Sequence, residues 1–204
     1  MAGRLAAWAN VTRILLALLL LAGLPLPATA DEAKPVAAIV LVARDELPDP
    51  DFRDSKVLVM NNIGPLPAGV ILNRPTRLTV ARLFPELKRL AQVRDKVYFG
   101  GPVDMDSVWF VFASPIAQEH AVQIVDGVYV SADDDLLHEL LARDKPMANL
   151  RIFIGHSVWG PGQLENEIGR GDWSLVPAGK DAIFNGKPEH PWPSEPEPEG
   201  THRT

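Results

Sequence analysis

The chain has 204 residues, 47% of them hydrophobic, enough for one domain with a substantial core. Its formal net charge of −6 disfavours sequence-independent nucleic-acid binding, because the phosphate backbone rewards Lys and Arg. Cysteine is absent, which excludes disulfides, thiol catalysis and cysteine-ligated metals, and suits an oxidising compartment where stray thiols are a liability.

Arg4 and Arg13 give a positive start, and Ile14 to Leu24 is an unbroken run of eleven apolar residues and glycine. Ala28-Thr29-Ala30 then supplies a small-x-small cleavage site before Asp31. This is the layout of a secretory signal peptide, and the run is too short to span a bilayer comfortably. Residues 1–30 are therefore read as a signal cleaved between Ala30 and Asp31, which sends the protein to the periplasm or outside the cell. The competing reading is an uncleaved N-terminal anchor. Membrane contact is expected only through the signal before cleavage, and the lack of cysteine excludes a lipoprotein anchor. Cleavage removes two positive charges and no negative ones, moving the net charge from −6 to −8.

Residues 31–36 read as a spacer. Ala37 to Arg44 is a first strand, apolar on both faces and rich in β-branched residues. Asp45 to Asp54, with two prolines and five acidic residues, is a polar loop. Lys56 to Asn61 and Ala68 to Leu72 are strands around the turn cluster 62–67, most simply an antiparallel hairpin. Asn73-Arg74-Pro75-Thr76 ends the second of them; Arg74 is either a ligand-facing charge or a loop tie. Leu78 to Leu90 is a helical stretch broken by Pro85, with Leu83, Phe84, Leu87 and Leu90 on its inner face.

Lys96 to Phe99 is a short strand running into Gly100-Gly101-Pro102. No Lys-Ser/Thr follows, so this is no phosphate loop, and the glycines read as positions of positive φ or close backbone crossing. Ser107 to Ala113 is a strongly apolar, central strand. Val122 to Val125 and Val128 to Val130 flank the two-residue turn Asp126-Gly127 of a hairpin. Ala132-Asp133-Asp134 leads into a helix carrying Leu136, Leu137, Leu140 and Leu141, with acids at its positive end. Lys145-Pro146 ends it. Trp173 to Pro177 is a strand, Asp181 to Phe184 a last apolar turn, and residues 185–204 a disordered Pro/Glu-rich tail.

The stretch from Asn149 to Trp173 carries the chemistry-bearing residues. Ile152, Phe153 and Ile154 read as a buried strand ended by Gly155, and Pro161 as the first position of a helix that stops at Gly169 and Gly171. Leu164 and Ile168 share its core face; Gln163, Glu165, Asn166 and Glu167 fall on or near the wet side. Trp159 and Trp173 bracket this helix and are expected to clamp it to the sheet. Gly155-His156-Ser157 resembles the start of a nucleophile elbow, but that motif needs glycine two residues after the serine, where this chain has Trp159. Free N–H groups at the helix start could hold an anion. Glu165 and Glu167, two apart, point away from one another, so a joint catalytic or metal-binding role is not expected and a solvated face is. The histidines at 120, 138, 156, 190 and 202 lack ligand-like spacing, so no metal site and no cofactor are predicted.

Four segments in order, Val70-Ile71-Leu72-Asn73-Arg74-Pro75, Tyr98 to Val103, Asp126 to Tyr129 and Gly160 to Glu167, resemble the YqgE/AlgH family over about residues 37 to 184. The resemblance implies a single α/β (α+β) domain with a mixed, largely antiparallel sheet or barrel-like core flanked by helices. It implies no catalytic residues and no cofactor, and some members are linked by name to transcriptional regulation. The chain departs from the family in its signal peptide, in Asn61 to Pro65, and in the Gly155 to Trp159 corner.

The expected function is an exported, non-catalytic binding or accessory domain for an unknown protein or small ligand, with no nucleic acid. Its contact surface is expected from Asn73, Arg74, Gly100, Gly101, Trp159, Gln163 and Glu167, because binding residues concentrate on loops. The alternatives are a hydrolase using Ser157 and His156, and a regulator that docks another protein through exposed strand edges.

Overall fold

The computed structural model describes residues 38–186, Glu46 and Asn62 excepted. The expected signal peptide, the spacer and the tail beyond Gly186 lie outside the described residues. Chain order is β1 (Ala38–Ala43), β2 (Lys56–Met60), β3 (Ala68–Ile71), β4 (Pro75–Thr79), α1 (Val80–Leu83), a 3₁₀ turn (Lys88–Leu90), β5 (Lys96–Phe99) and β6 (Val103–Ala113). There follow β7 (Val122–Val125), β8 (Val128–Ser131), α2 (Asp134–Leu141), β9 (Leu150–Val158), α3 (Gln163–Arg170), β10 (Trp173–Pro177) and α4 (Lys180–Phe184).

The strands hydrogen-bond in the order β10-β1-β2-β3-β9-β6-β8-β7, with β4 and β5 branching from β9. Every pairing is antiparallel except β5 with β9. Along the β9 edge away from β6, Phe153 and Ile154 pair with β5, and Ser157 and Val158 pair with β3. Three neighbours therefore share one strand, and the sheet curls about it into a half-barrel.

Alternation sorts the core into layers. Val40, Leu58, Met60 and Val70 point inside the curl, where they meet Val111, Val130, Phe153 and Ile183. Their neighbours Leu41, Val57, Val59 and Ile71 point the other way, under Leu164 of α3 and the indoles of Trp159 and Trp173. On the far half, Phe110, Phe112 and Ile152 point out under α1 and the leucines of α2. Strands covered on both faces explain why β1, β2 and β6 read as nearly continuous apolar runs. At α2, Asp133 caps the helix by accepting the Leu136 N–H at 2.8 Å.

Several expectations are corrected. Gly155 does not end its strand: β9 continues to Val158, with Gly155 at φ +65° as an irregularity inside it. Pro75 opens β4 rather than closing a turn, and only residues 80–83 of the stretch 78–90 are α-helical. Pro161 is not the first helical position. Gly162 is the N-cap at φ +72°, so Pro161 precedes the helix, and Gly169 lies within it while Gly171 caps it at φ +87°. Residues 185 and 186, at the start of the expected tail, are tied to the fold: Arg151 donates to the Gly186 carbonyl at 3.1 Å, and Asn185 Nδ2 donates to Asp181 Oδ1 at 2.8 Å.

The glycines at 100, 101 and 155 do what close approach requires. A Cβ on Gly100 would collide with the Gly155 carbonyl oxygen, one on Gly101 with the Ser157 hydroxyl and His156 carbonyl, and one on Gly155 with the Gly101 carbonyl. Gly155→Ala should therefore cost about 3 kcal/mol or more, combining positive φ with overpacking. Gly162→Ala, at similar φ but with nothing within 4 Å of its Cβ, should cost about 1 kcal/mol. Urea denaturation of the two variants measures the difference.

Candidate functional site

Helix α3 presents Leu164 to the core and, three residues on, turns Glu167 toward two buried indoles. Trp159 and Trp173 are 2% and 3% exposed, and burying each contributes about 1.5–3 kcal/mol. A buried indole needs an acceptor for its N–H. Both find the same one: Glu167 Oε2 accepts from Trp159 Nε1 at 3.0 Å and from Trp173 Nε1 at 2.9 Å. Glu167 Oε1 accepts from Gln163 Nε2 at 2.9 Å, an i,i+4 contact, and Gln163 Oε1 accepts the Gly160 N–H at 3.0 Å. The wet-side expectation for Glu167 is thus corrected. It is half-buried and ties strand β9, helix α3 and strand β10 together, whereas Glu165 is exposed.

A third aromatic completes the arrangement. Phe52 lies with its ring centroid 6.1 Å from Trp159 and 5.9 Å from Trp173, edge-on to the latter. Its segment is fastened from behind by Asn73 and Arg74. Asn73 Oδ1 accepts the Lys56 N–H and its Nδ2 donates to the Asp54 carbonyl, both at 2.8 Å. Arg74 donates to the carbonyls of Asp51 and Arg53, the latter at 2.7 Å. Both side chains are buried, so they position the loop rather than face a ligand. Desolvation lowers the Arg74 pKa, opposed by the nearby Asp51, Asp54 and Asp49 carboxylates.

Between this loop and α3 runs a groove of about 480 Å³ lined by Leu47, Pro48, Pro50, Phe52, Val158, Trp159, Gln163, Glu167 and Trp173, among others. At one end Arg170 Nη2 meets Asp172 Oδ2 at 2.5 Å. Of the expected contact residues, Trp159, Gln163 and Glu167 line the groove. Asn73 and Arg74 sit behind its wall, and Gly100 and Gly101 sit under β9 at the backbone crossing. The sequence reading missed Leu47 and Phe52, taken as part of a polar loop. Two large apolar residues in an otherwise acidic segment were the available signal.

The Ser157 hydroxyl is 1% exposed and donates to the Gly100 carbonyl at 3.2 Å. His156 points elsewhere, stacking on Trp109 with centroids 4.8 Å apart. Adjacent residues of a strand face opposite sides, so the geometry gives the serine–histidine pair no support. The N–H groups at the α3 start are also partly engaged, since Gln163 N donates to the Gly160 carbonyl at 3.0 Å. His156 Nδ1 is buried and has no hydrogen-bond partner among the described residues. Burial pushes its pKa down, against a weaker pull upward from Asp104.

A family profile described as AlgH-like matches residues 40–197. A UPF0301 protein of Ruegeria pomeroyi is 33% identical over 159 residues, covering 75% of this chain and 85% of that protein. A UPF0301 protein of Streptomyces avermitilis is 34% identical over 166 residues, covering 79% and 85%. In three dimensions the fold is similar to the solution structure of the AlgH protein from Pseudomonas aeruginosa (TM-score 0.61, 25% identity, covering 74% of this chain and 81% of that one). It is also similar to the crystal structure of a Corynebacterium diphtheriae protein (TM-score 0.58, 26% identity, 74% and 80%).

Glu167→Ala removes the shared acceptor of two buried indoles and should destabilise the fold by about 2 kcal/mol. Glu167→Gln keeps one carbonyl oxygen and should lose less; urea melts followed by tryptophan emission report both. His156 gives a pH signature. Its folded pKa lies below the ordinary value of about 6.5, so its unfolded form binds the proton first. Stability should be full above that value and fall as the pH drops through it toward the folded pKa. His156→Phe, which keeps the stack on Trp109, should remove this slope from a series of melts against pH.

Proposed function

The chain belongs to the AlgH-like, UPF0301 family, and from that premise we propose that it is an exported, non-catalytic binding or accessory domain whose contact surface is the Phe52–Trp159–Trp173 groove. The observation that carries this reading is an open groove between the half-buried Phe52 ring and α3, backed by two buried indoles and the half-buried Glu167 carboxylate. Concave, largely apolar surfaces with a few convergent polar groups are where proteins take ligands. Glu167 accepts from three donors, and a carboxylate offers about four lone-pair sites, so room is left for one further donor. The fitting partner presents an apolar body beside a single N–H or O–H.

One observation favours a second reading, a regulator that docks a protein through a strand edge. Among the described residues β10 pairs only with β1, and Leu175 and Val176 on it are 49% and 39% exposed. Pro177, which lacks an N–H, blunts that edge and argues for the groove instead.

Two measurements test the proposal. Fractionation with N-terminal mass spectrometry should find a chain starting at Asp31 in the exported fraction; a full-length chain in the cytosol would remove export. Cross-linking in the envelope should be reduced several-fold by Val158→Glu on the groove rim and unchanged by Val176→Lys on the edge. The reverse pattern would replace the groove with the strand edge.

A further inference from the structure

Among the described residues two arginines are buried, and their surroundings differ in one respect. Arg74 and Arg151 are 6% and 8% exposed, and each donates to backbone carbonyls. Arg74 has the carboxylates of Asp49, Asp51 and Asp54 around it. Arg151 has no carboxylate partner among the described residues. Its Nη1 donates to the Leu72 carbonyl at 2.7 Å, its Nη2 to those of Phe184 and Gly186 at 3.0 and 3.1 Å, and its guanidinium carbon lies 5.0 Å from the Tyr98 ring centroid. Carbonyls are dipoles and a ring face presents a quadrupole; neither carries a net charge. They orient the cation but, among the described residues, leave its net charge without a counter-charge in a place where burying charge is expensive.

A guanidinium has five N–H donors, and these three bonds leave two of them, including Nε–H, without an acceptor among the described residues. The space is there to supply one. Arg151 lines a cavity of about 270 Å³ together with Lys96, Tyr98, Asn149, Asn185 and Asp95. Lys96 adds a second positive charge at the rim, and the exposed Asp95 offsets part of it without pairing with Arg151. The volume suits a small group rather than a cofactor.

We propose that this cavity is a binding site for a small oxyanion, a carboxylate or phosphate group, charge-paired with Arg151 and approached past Lys96. An ionised acceptor would convert the unspent donors into charge-assisted hydrogen bonds, about twice as strong as neutral ones. Two sources carry the same chemistry: a free anion from solution, or the chain's own Glu189, three residues beyond Gly186 and within about 10 Å of it when extended.

The site is distinct from the aromatic groove, so its test stands apart from that reading. Inorganic phosphate titrated into ¹⁵N-labelled protein, with chloride holding ionic strength constant, should shift the Arg151 Nε–H and the Asn149 amide saturably. Lys96→Ala, an exposed rim change, should weaken the apparent Kd several-fold. If the wild-type chain responds, the ligand comes from solution. If only Glu189→Gln responds, the tail carboxylate is the occupant, and the oxyanion site stands. No saturable shift of Arg151 in either chain overturns the proposal.

Discussion

The half-barrel depends on the backbone of β9 coming into contact with three neighbours, and that contact depends on missing Cβ atoms. Gly100 and Gly101 lie directly against Gly155 and its successors, at separations a side chain would forbid. The Gly100 N–H donates to the Ile154 carbonyl at 2.8 Å and its carbonyl accepts from Ile71 at 3.0 Å, so one residue links β3, β5 and β9. Positive φ at Gly155 then shifts β9 between its β5 and β3 partners. Without that junction the inner core would have one wall instead of two, and the groove would lose the strand that carries Trp159.

The groove is held by a different kind of device. Burying two indoles contributes several kcal/mol only if their N–H groups are satisfied, and a single carboxylate satisfies both. Because Glu167 is on α3 while the indoles lie just past the end of β9 and at the start of β10, one hydrogen-bonded centre fixes a helix against two strands that are not adjacent in the sheet. The loop wall opposite is fixed by Asn73 and Arg74, whose polar groups reach main-chain atoms of residues 51–56. Three of the four sequence segments that pointed to the family therefore serve one construction: the loop tie, the backbone crossing and the helix that carries the anchor.

The treatment of buried charge separates framework from candidate chemistry. Arg74 lies in the field of the acidic loop it organises, whose Asp51, Asp54 and Asp49 carboxylates partly offset its burial, which is the pattern of a structural cation. Arg151 is oriented by carbonyls and, among the described residues, has no carboxylate beside the open space it lines, the pattern of a cation awaiting a partner. His156, buried without a partner for Nδ1, instead carries a cost that grows as the pH falls. Its stacking on Trp109 holds it in place, while the hydroxyl of its neighbour Ser157 is committed to the strand crossing.

Much of this could be read from the chain before its fold was known. Alternation and β-branched runs located β1, β2, β3, β6 and β8, and the Asp126-Gly127 turn located the β7–β8 hairpin, because those signals are local. Leucine spacing and an acidic cap located α2 for the same reason, and composition excluded thiol chemistry outright. What the sequence could not decide is set by contacts between distant residues. Whether Gly155 stops a strand or kinks it depends on Gly101 being across from it, and whether Glu167 faces water depends on two indoles arriving from either side. Arg74 became a loop tie and Arg151 an unpaired cation only when the tertiary fold determined which carbonyls and carboxylates lie within reach of each, since a side chain's partner is a property of space and not of spacing.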